Sequence, residues 1–143
     1  MHTREHTTRD TCGSHTGDTG FILRERPTDL VSPDVAFVRH DRLPPADART
    51  RFLRVVPDLA VEIRSPTETE ADVRTKLGLY IATGVRLVWL VDPRTRTVEE
   101  LRPDPVEPRG GTHSRVLRAN ASDVLEAEDV LPGFRLSVAD VFA

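Results

Sequence analysis

The chain has 143 residues, with 20 basic and 23 acidic side chains, a formal net charge of −3 and 38% hydrophobic residues. This length suits one domain with a hydrophobic core, and the acidic balance excludes a broadly basic nucleic-acid surface without excluding a local basic cleft. The single cysteine, Cys12, fits a reducing compartment, and no apolar run approaches the roughly 18 residues of a membrane span, so we expect a cytoplasmic protein with no membrane partner.

The N-terminal part of the chain changes character near residue 19. Residues 1–18 are polar and show no periodic apolar pattern, which predicts a disordered tail. A single domain is then expected over residues 19–143, opening with a strand at GFILRE, residues 20–25. PTDLVSP, residues 27–33, is typical of a turn-rich connection, and DVAFVR, residues 34–39, predicts a second strand.

The stretch PDLAVEIRSP, residues 57–66, predicts a third strand. Strand side chains alternate, so one face is apolar, with Leu59, Val61 and Ile63. The other face carries Asp58, Ala60, Glu62 and Arg64. By itself this pattern is compatible with an exposed polar face whose ion pairs contribute little to stability.

A helix is predicted over SPTETEADVRTKLGLYIATGV, residues 65–85, with Ser65 or Thr67 as its cap and Gly84 at its end. Its apolar face comprises Val73, Leu77, Tyr80 and Ile81. RLVWLVD, residues 86–92, is apolar on both faces and predicts an interior strand. Strand, helix and strand form a βαβ unit, whose two strands are expected to be parallel.

The rest of the chain predicts a returning strand at VEELRP and another strand at SRVLRA, residues 114–119. VLPGFRLSVADVFA at the C-terminus indicates a turn, a short strand and a last helical turn capped by Ser137. The first three predicted strands have short connections and are expected to form an antiparallel meander. The fold class is therefore α/β in the α+β sense, with a mixed sheet and at least one helix packed on it.

Two acids on neighbouring predicted strands indicate a chemical site. Asp34 opens the second strand, and Glu62 lies within the third, 28 positions later. If these strands are neighbours, the two carboxylates repel each other, and a hard divalent cation such as Mg²⁺ removes that cost. The following helix carries Lys76, the only lysine of the chain, which could orient a water or stabilise charge on a transferring phosphate.

An ordered set of segments resembles the Uma-type restriction endonuclease family, a branch of the PD-(D/E)XK nuclease superfamily. The segments are SPDVAFV, PDLAVEIRSP, KLGLYIATGVRLVWLVDP, RTRTVEEL and VLPGF, which together extend over about residues 19–143. The resemblance implies a restriction-endonuclease-like core of α-β-β-β-α-β order and a Mg²⁺- or Mn²⁺-dependent endonuclease whose substrate is DNA.

Carried onto this sequence, the resemblance implies that Asp34 and Glu62 are metal ligands and that the backbone carbonyl of Ile63 is a third ligand. The superfamily's signature lysine normally lies two residues after the second acid, where this chain has Arg64. The resemblance therefore implies that Lys76, on the helix, takes the catalytic role with Asp34 and Glu62. Asp58 matches the acid that opens the strand and is interpreted as structural, while Tyr80 either supports Lys76 or packs in the core.

The chain departs from the family at its N-terminus, where members usually carry a further hairpin and a helix that packs on the sheet. We therefore expect an N-terminally truncated domain with a partly uncovered sheet face, which a homodimer would cover.

The sequence is compatible with three functions. The first is a metal-dependent DNA endonuclease, and the second is a non-catalytic remnant or binding module of the same fold in a mobile-element or defence context. The third is a small-molecule-binding or structural α+β protein. No target sequence can be read from the residues.

Overall fold

The structure is a computed structural model that describes residues 12–16, 20–25, 28–44, 52–53, 55–107 and 111–143. Three short strands come first: β1 (Cys12–Thr16), β2 (Gly20–Glu25) and β3 (Thr28–Val31). The central strands are β4 (Val35–Arg39), β5 (Phe52–Leu53) and β6 (Leu59–Ile63), followed by helix α1 (Glu70–Ala82). The C-terminal half comprises β7 (Leu87–Asp92), β8 (Thr97–Pro103), β9 (Thr112–Arg118), β10 (Val124–Glu126), β11 (Arg135–Ser137) and helix α2 (Val138–Val141).

The main sheet has six strands in the order β1-β4-β6-β7-β8-β9. Strands β6 and β7 are parallel and are joined by α1, which confirms the predicted βαβ unit. The remaining neighbours in this sheet pair antiparallel. Three antiparallel strands, β1, β4 and β6, therefore precede the crossover, and the mixed α+β fold is the one expected from the sequence.

The first strand of this antiparallel group differs from the expectation. Strand β1 lies within the predicted tail, and it pairs with β4 along its whole length. The strand is held by backbone hydrogen bonds with β4. Such bonds do not depend on apolar side chains, so a search for hydrophobic periodicity cannot find this strand. Residues 1–11 and 17–18 of the predicted tail lie outside the described part of the chain.

The predicted strand at residues 20–25 exists, but it belongs to a separate three-stranded sheet of order β3-β2-β5. The segment interpreted as a turn-rich connection supplies β3, which pairs antiparallel with β2. Close neighbours in sequence pair at the lowest entropic cost, because the loop that joins them is short. Phe21 is fully buried and belongs to the same cluster as Ala36 and Val38 of β4, so the small sheet extends the core on that side.

Each face of the main sheet carries a buried cluster. On one face α1 packs against β4, β6 and β7, with Leu77, Tyr80 and Val88 among its members. On the other face Trp89 and Val98 pack against Leu125 and Val138 of the C-terminal segment. The expected uncovered face is therefore covered, along these strands, by Leu125, which the sequence analysis assigned to no element, and by Val138 of the predicted last helical turn.

Helix α1 has a side-chain cap at its N-terminus and a glycine just after its C-terminus. Its cap is Thr69, whose hydroxyl accepts the Asp72 N–H at 3.1 Å, so the predicted caps Ser65 and Thr67 are wrong. Gly84 follows the helix with φ of 108°, as the prediction of its C-terminal role requires. Within the described residues, neither helix has the length and apolar composition needed to cross a bilayer.

Candidate active site

The register of β4 and β6 brings Asp34 and Glu62 together. Val35 pairs with Val61 in antiparallel register. Asp34, which precedes Val35, therefore lies opposite Glu62, which follows Val61, at this end of the two strands. Asp34 Oδ2 accepts the backbone N–H of Ile63 at 2.7 Å, which fixes the Asp34 carboxylate against the peptide that follows Glu62. The carbonyl of Ile63 belongs to the same end of β6.

Glu62 is buried under α1, with 6% of the residue exposed. Its Oε1 accepts a hydrogen bond from the Tyr80 hydroxyl, and its Oε2 lies 3.7 Å from Lys76 Nζ. Lys76 and Tyr80 are four residues apart, so both side chains leave the same face of the helix. The polar face of β6 is thus buried under α1, and it is not the exposed surface with weak ion pairs that its local pattern allows.

Glu68 completes the group and was missed as a site residue by the sequence reading, which placed it in the first turns of the helix. It lies in the connection before α1, where Oε1 accepts the Ser65 N–H at 3.1 Å. Its Oε2 accepts from Lys76 Nζ, also at 3.1 Å, so Lys76 bridges Glu68 and Glu62. The available signal was the position of Glu68 three residues after Ser65, a spacing that allows a carboxylate to close a loop onto a backbone N–H.

The electrostatics of the group follow from burial and charge. Burial raises the pKa of Glu62, and Asp34 adds to the increase, although Tyr80 and Lys76 oppose it. Burial lowers the pKa of Lys76, but the attraction of Glu62, Glu68 and Asp34 outweighs it, so the Lys76 pKa is raised overall. Burial and the adjacent Glu62 also raise the pKa of Tyr80, which therefore stays a neutral hydrogen-bond donor.

Arg64, at the superfamily's lysine position, points to a different partner. Its guanidinium forms an ion pair with Glu70 at 2.6 Å. Lys76, and not Arg64, is therefore the cation at the Glu62 carboxylate in the described structure.

The two other buried acids are held by structural contacts away from this group. Both oxygens of Asp58 accept hydrogen bonds, from the Arg39 N–H at 2.8 Å and from the Arg42 guanidinium at 2.6 Å. Glu100 accepts from the Trp89 indole at 3.2 Å on the opposite face of the sheet. The structural interpretation of Asp58 agrees with these contacts.

The donor chemistry of the group can be compared with what a metal ion needs. In the described part of the chain, no cluster of three or more His, Cys, Asp or Glu residues is arranged to hold a metal. Mg²⁺, however, keeps several waters and is often bound through only one or two carboxylates together with substrate phosphates. Asp34 and Glu62 supply two such carboxylates, at opposed positions of adjacent strands. The residues present therefore fit a hydrated hard cation, and do not fit an all-protein cage.

Comparisons with known proteins point to one family. The model of the Uma2 family, described as "Putative restriction endonuclease", matches residues 3–139. A solved structure from Anabaena variabilis, described as a putative nuclease belonging to DUF820, superposes with a TM-score of 0.74 at 19% sequence identity. The match covers 94% of this chain and 70% of that one, and it shows a shared restriction-endonuclease-like fold. No curated protein matches.

Proposed function

The chain belongs to the Uma2 family of restriction-endonuclease-like proteins, and we propose that it is a metal-dependent endonuclease that hydrolyses phosphodiester bonds in DNA. The observation that carries the proposal is the position of Lys76 Nζ, 3.7 Å from the buried carboxylate of Glu62, beside Asp34. Two acids at the end of adjacent strands, with a cation on the helix that packs over them, can bind a metal and a phosphate together. The single cysteine is consistent with a cytoplasmic location for this activity.

In this proposal Asp34, Glu62 and the carbonyl of Ile63 hold Mg²⁺ or Mn²⁺. The ion, when bound, supplies Lewis-acid stabilisation of charge on the phosphoryl oxygens. Lys76 stays protonated, because its pKa is raised, so it acts as a hydrogen-bond donor to an anionic oxygen or to the attacking water, and not as a base. Tyr80 holds the Glu62 carboxylate in one orientation through its hydroxyl.

The proposal is tested by nicking of supercoiled plasmid in Mg²⁺ or Mn²⁺ by the wild-type protein and by the variants Asp34→Asn, Glu62→Gln and Lys76→Met. We expect each variant to lose at least about 100-fold in rate, as is typical when a positioned charge is removed from a reacting phosphate. Glu126→Gln is the matched control, since Glu126 is an exposed acid on the strand pair that covers the opposite sheet face. Equal cutting by Glu62→Gln and wild type would overturn the site assignment.

A second candidate is a binding module that keeps the fold without cutting. It is favoured by the donor set, which contains two carboxylates and no third metal-binding side chain in the described residues. Under this function the purified protein retains labelled DNA in a binding assay but leaves plasmid intact in every divalent metal. Isothermal titration with Mg²⁺ separates the two functions further, because a module without catalysis needs no metal affinity at Asp34 and Glu62.

A further inference from the structure

A cavity of about 340 Å³ adjoins the proposed active site at the carboxyl ends of β6 and β7. One wall is the connection from β6 to α1, and the other is the turn between β7 and β8. Its lining residues are Arg64, Ser65, Pro66, Glu68, Asp92, Pro93 and Arg94. Glu68 belongs to both places, since it lines the cavity and binds Lys76 at 3.1 Å, so the cavity is next to the point where a phosphate would react.

The acids of this cavity are engaged by the protein itself. Glu68 is bound by Lys76 and by the Ser65 N–H. Asp92 Oδ1 accepts the backbone N–H of Arg94 at 3.0 Å, which ties the turn to the end of β7. Lys76 therefore partly neutralises the charge of Glu68, whereas the Arg94 N–H fixes the Asp92 carboxylate in the turn without neutralising it.

The cations of the cavity have binding capacity left. Arg64 contacts Glu70 through one nitrogen at 2.6 Å, and a guanidinium has five N–H donors. Arg94 is exposed, and its side chain forms no ion pair with any residue in the described part of the chain. Two guanidinium groups at one concave surface, one of them without an ion-pair partner in the described residues, are suited to a phosphate, because a guanidinium fork can bind two of its non-bridging oxygens at once.

We propose that Arg64 and Arg94 bind a backbone phosphate of the nucleic-acid strand next to the phosphate that is cut. This inference rests on the proposed function, because it requires the nucleic-acid strand that is cut at the active site to run across Lys76 and Glu68 into the cavity. A contact of this kind positions the strand without reading its sequence. It also explains how an acidic protein can hold DNA, through two individual arginine side chains and not through a broadly basic surface.

The test is fluorescence anisotropy of labelled DNA duplexes with the full chain in Ca²⁺, at several salt concentrations. We expect Arg94→Ala to weaken binding roughly three- to tenfold, equally for two duplexes of unrelated sequence, and to lower the slope of log affinity against log salt by about 0.9. The control is Arg86→Ala, which removes another exposed arginine, just before the other end of β7, where it lies 3.8 Å from Asp129, and which should leave affinity and slope unchanged. Arg64→Gln is a second variant, which should produce a similar loss.

The outcomes separate the two proposals. If Arg94→Ala and Arg86→Ala bind like the wild-type protein while plasmid is still cut, the phosphate site is overturned and the nuclease stands. A loss that depends on duplex sequence indicates a base contact and also overturns the phosphate site. If the wild-type protein neither binds nor cuts DNA, both proposals fall.

Discussion

Glu62 illustrates how neighbours set the state of a single carboxylate. It is buried, which disfavours its charged form, yet it receives a hydrogen bond from Tyr80 and lies beside Lys76. Burial that raises the pKa of an acid costs stability at any pH where the acid is charged, and such costs are typical of functional sites.

Replacing Glu62 with Gln should stabilise the metal-free protein at high pH. The folded-state pKa of Glu62 is raised above 4.5, so the folded protein binds the proton more tightly than the unfolded chain does. The stability of the wild-type protein therefore falls as pH rises from about 4.5 through the folded pKa, and Glu62→Gln lacks this loss. At pH 8 in EDTA, we expect the Tm of the variant to exceed that of the wild type. The expected increase is about 3–6 °C for each kcal/mol that the substitution adds to the free energy of unfolding.

The Tm difference should shrink towards zero at pH values well below 4.5, where Glu62 is neutral in both the folded and the unfolded state. Glu126→Gln, at an exposed position, should show no comparable pH dependence. A stabilisation by Glu62→Gln that grows on acidification would contradict the predicted direction.

Replacing Tyr80 with Phe should destabilise the protein, because it removes the donor to a buried carboxylate. We expect a loss of about 1–3 kcal/mol in the free energy of unfolding at pH 8, measured by urea denaturation. The same substitution in a Glu62→Gln background should cost less, since the remaining group is neutral. Equal costs in the two backgrounds would show that Tyr80 acts only through packing.

At the scale of elements, α1 delivers two site residues to the sheet because of where it begins and ends. Thr69 sets the first turn, which leaves Glu68 in the preceding connection, and places Lys76 and Tyr80 above Glu62. The backbone at Gly84, with φ of 108°, then turns the chain towards β7. The site depends on this helix keeping its register against β6.

Gly84→Ala should destabilise the protein by about 1 kcal/mol, because an L residue is strained in the left-handed region. The nearest atom to the added Cβ would be Val56 Cγ1 at 4.0 Å, so the cost is conformational and not steric. Gly78→Ala is the matched comparison, because no atom lies within 4 Å of its Cβ position and the residue is inside the helix. There we expect a gain of roughly 0.5–1 kcal/mol, and urea denaturation should show opposite signs for the two variants.

At the scale of the whole molecule, the C-terminal segment is part of the core. Leu125 of β10 and Val138 of α2 pack with Trp89 and Val98 against the sheet face opposite α1. Strands β10 and β11 are only three residues long each, so their stability comes from this burial and not from their own pairing.

Leu125→Ala should therefore cost about 2–5 kcal/mol in the free energy of unfolding, as for a buried leucine in a continuous core. Leu125 is 2% exposed, whereas Val106 is 85% exposed, so Val106→Ala should be nearly neutral. Chemical denaturation followed by Trp89 fluorescence reports on this cluster directly. If Leu125→Ala is as mild as Val106→Ala, the segment is not integral to the core.

Local patterns were enough to predict several elements. The helical spacing of Val73, Leu77 and Tyr80 and the fully apolar β7 predict the observed elements, because each pattern reflects burial within one element. The alternation in β6 predicts a strand but not its burial, since Glu62 is buried and Ile63 is 49% exposed. The expected proximity of Asp34 and Glu62 came from the order of the strands, and the pairing of Val35 with Val61 has the required register.

Pairing between distant segments could be decided only by the tertiary structure. Nothing local in the polar residues of β1 indicates a partner, since backbone hydrogen bonds with β4 form whatever the side chains are. The inner orientation of Glu62, its contact with Tyr80 and the bridge from Lys76 to Glu68 likewise require α1 to lie across β6. The sequence by itself determined which residues can carry the chemistry, and the packing of helix on sheet decided which of them meet, because that packing joins residues far apart along the chain.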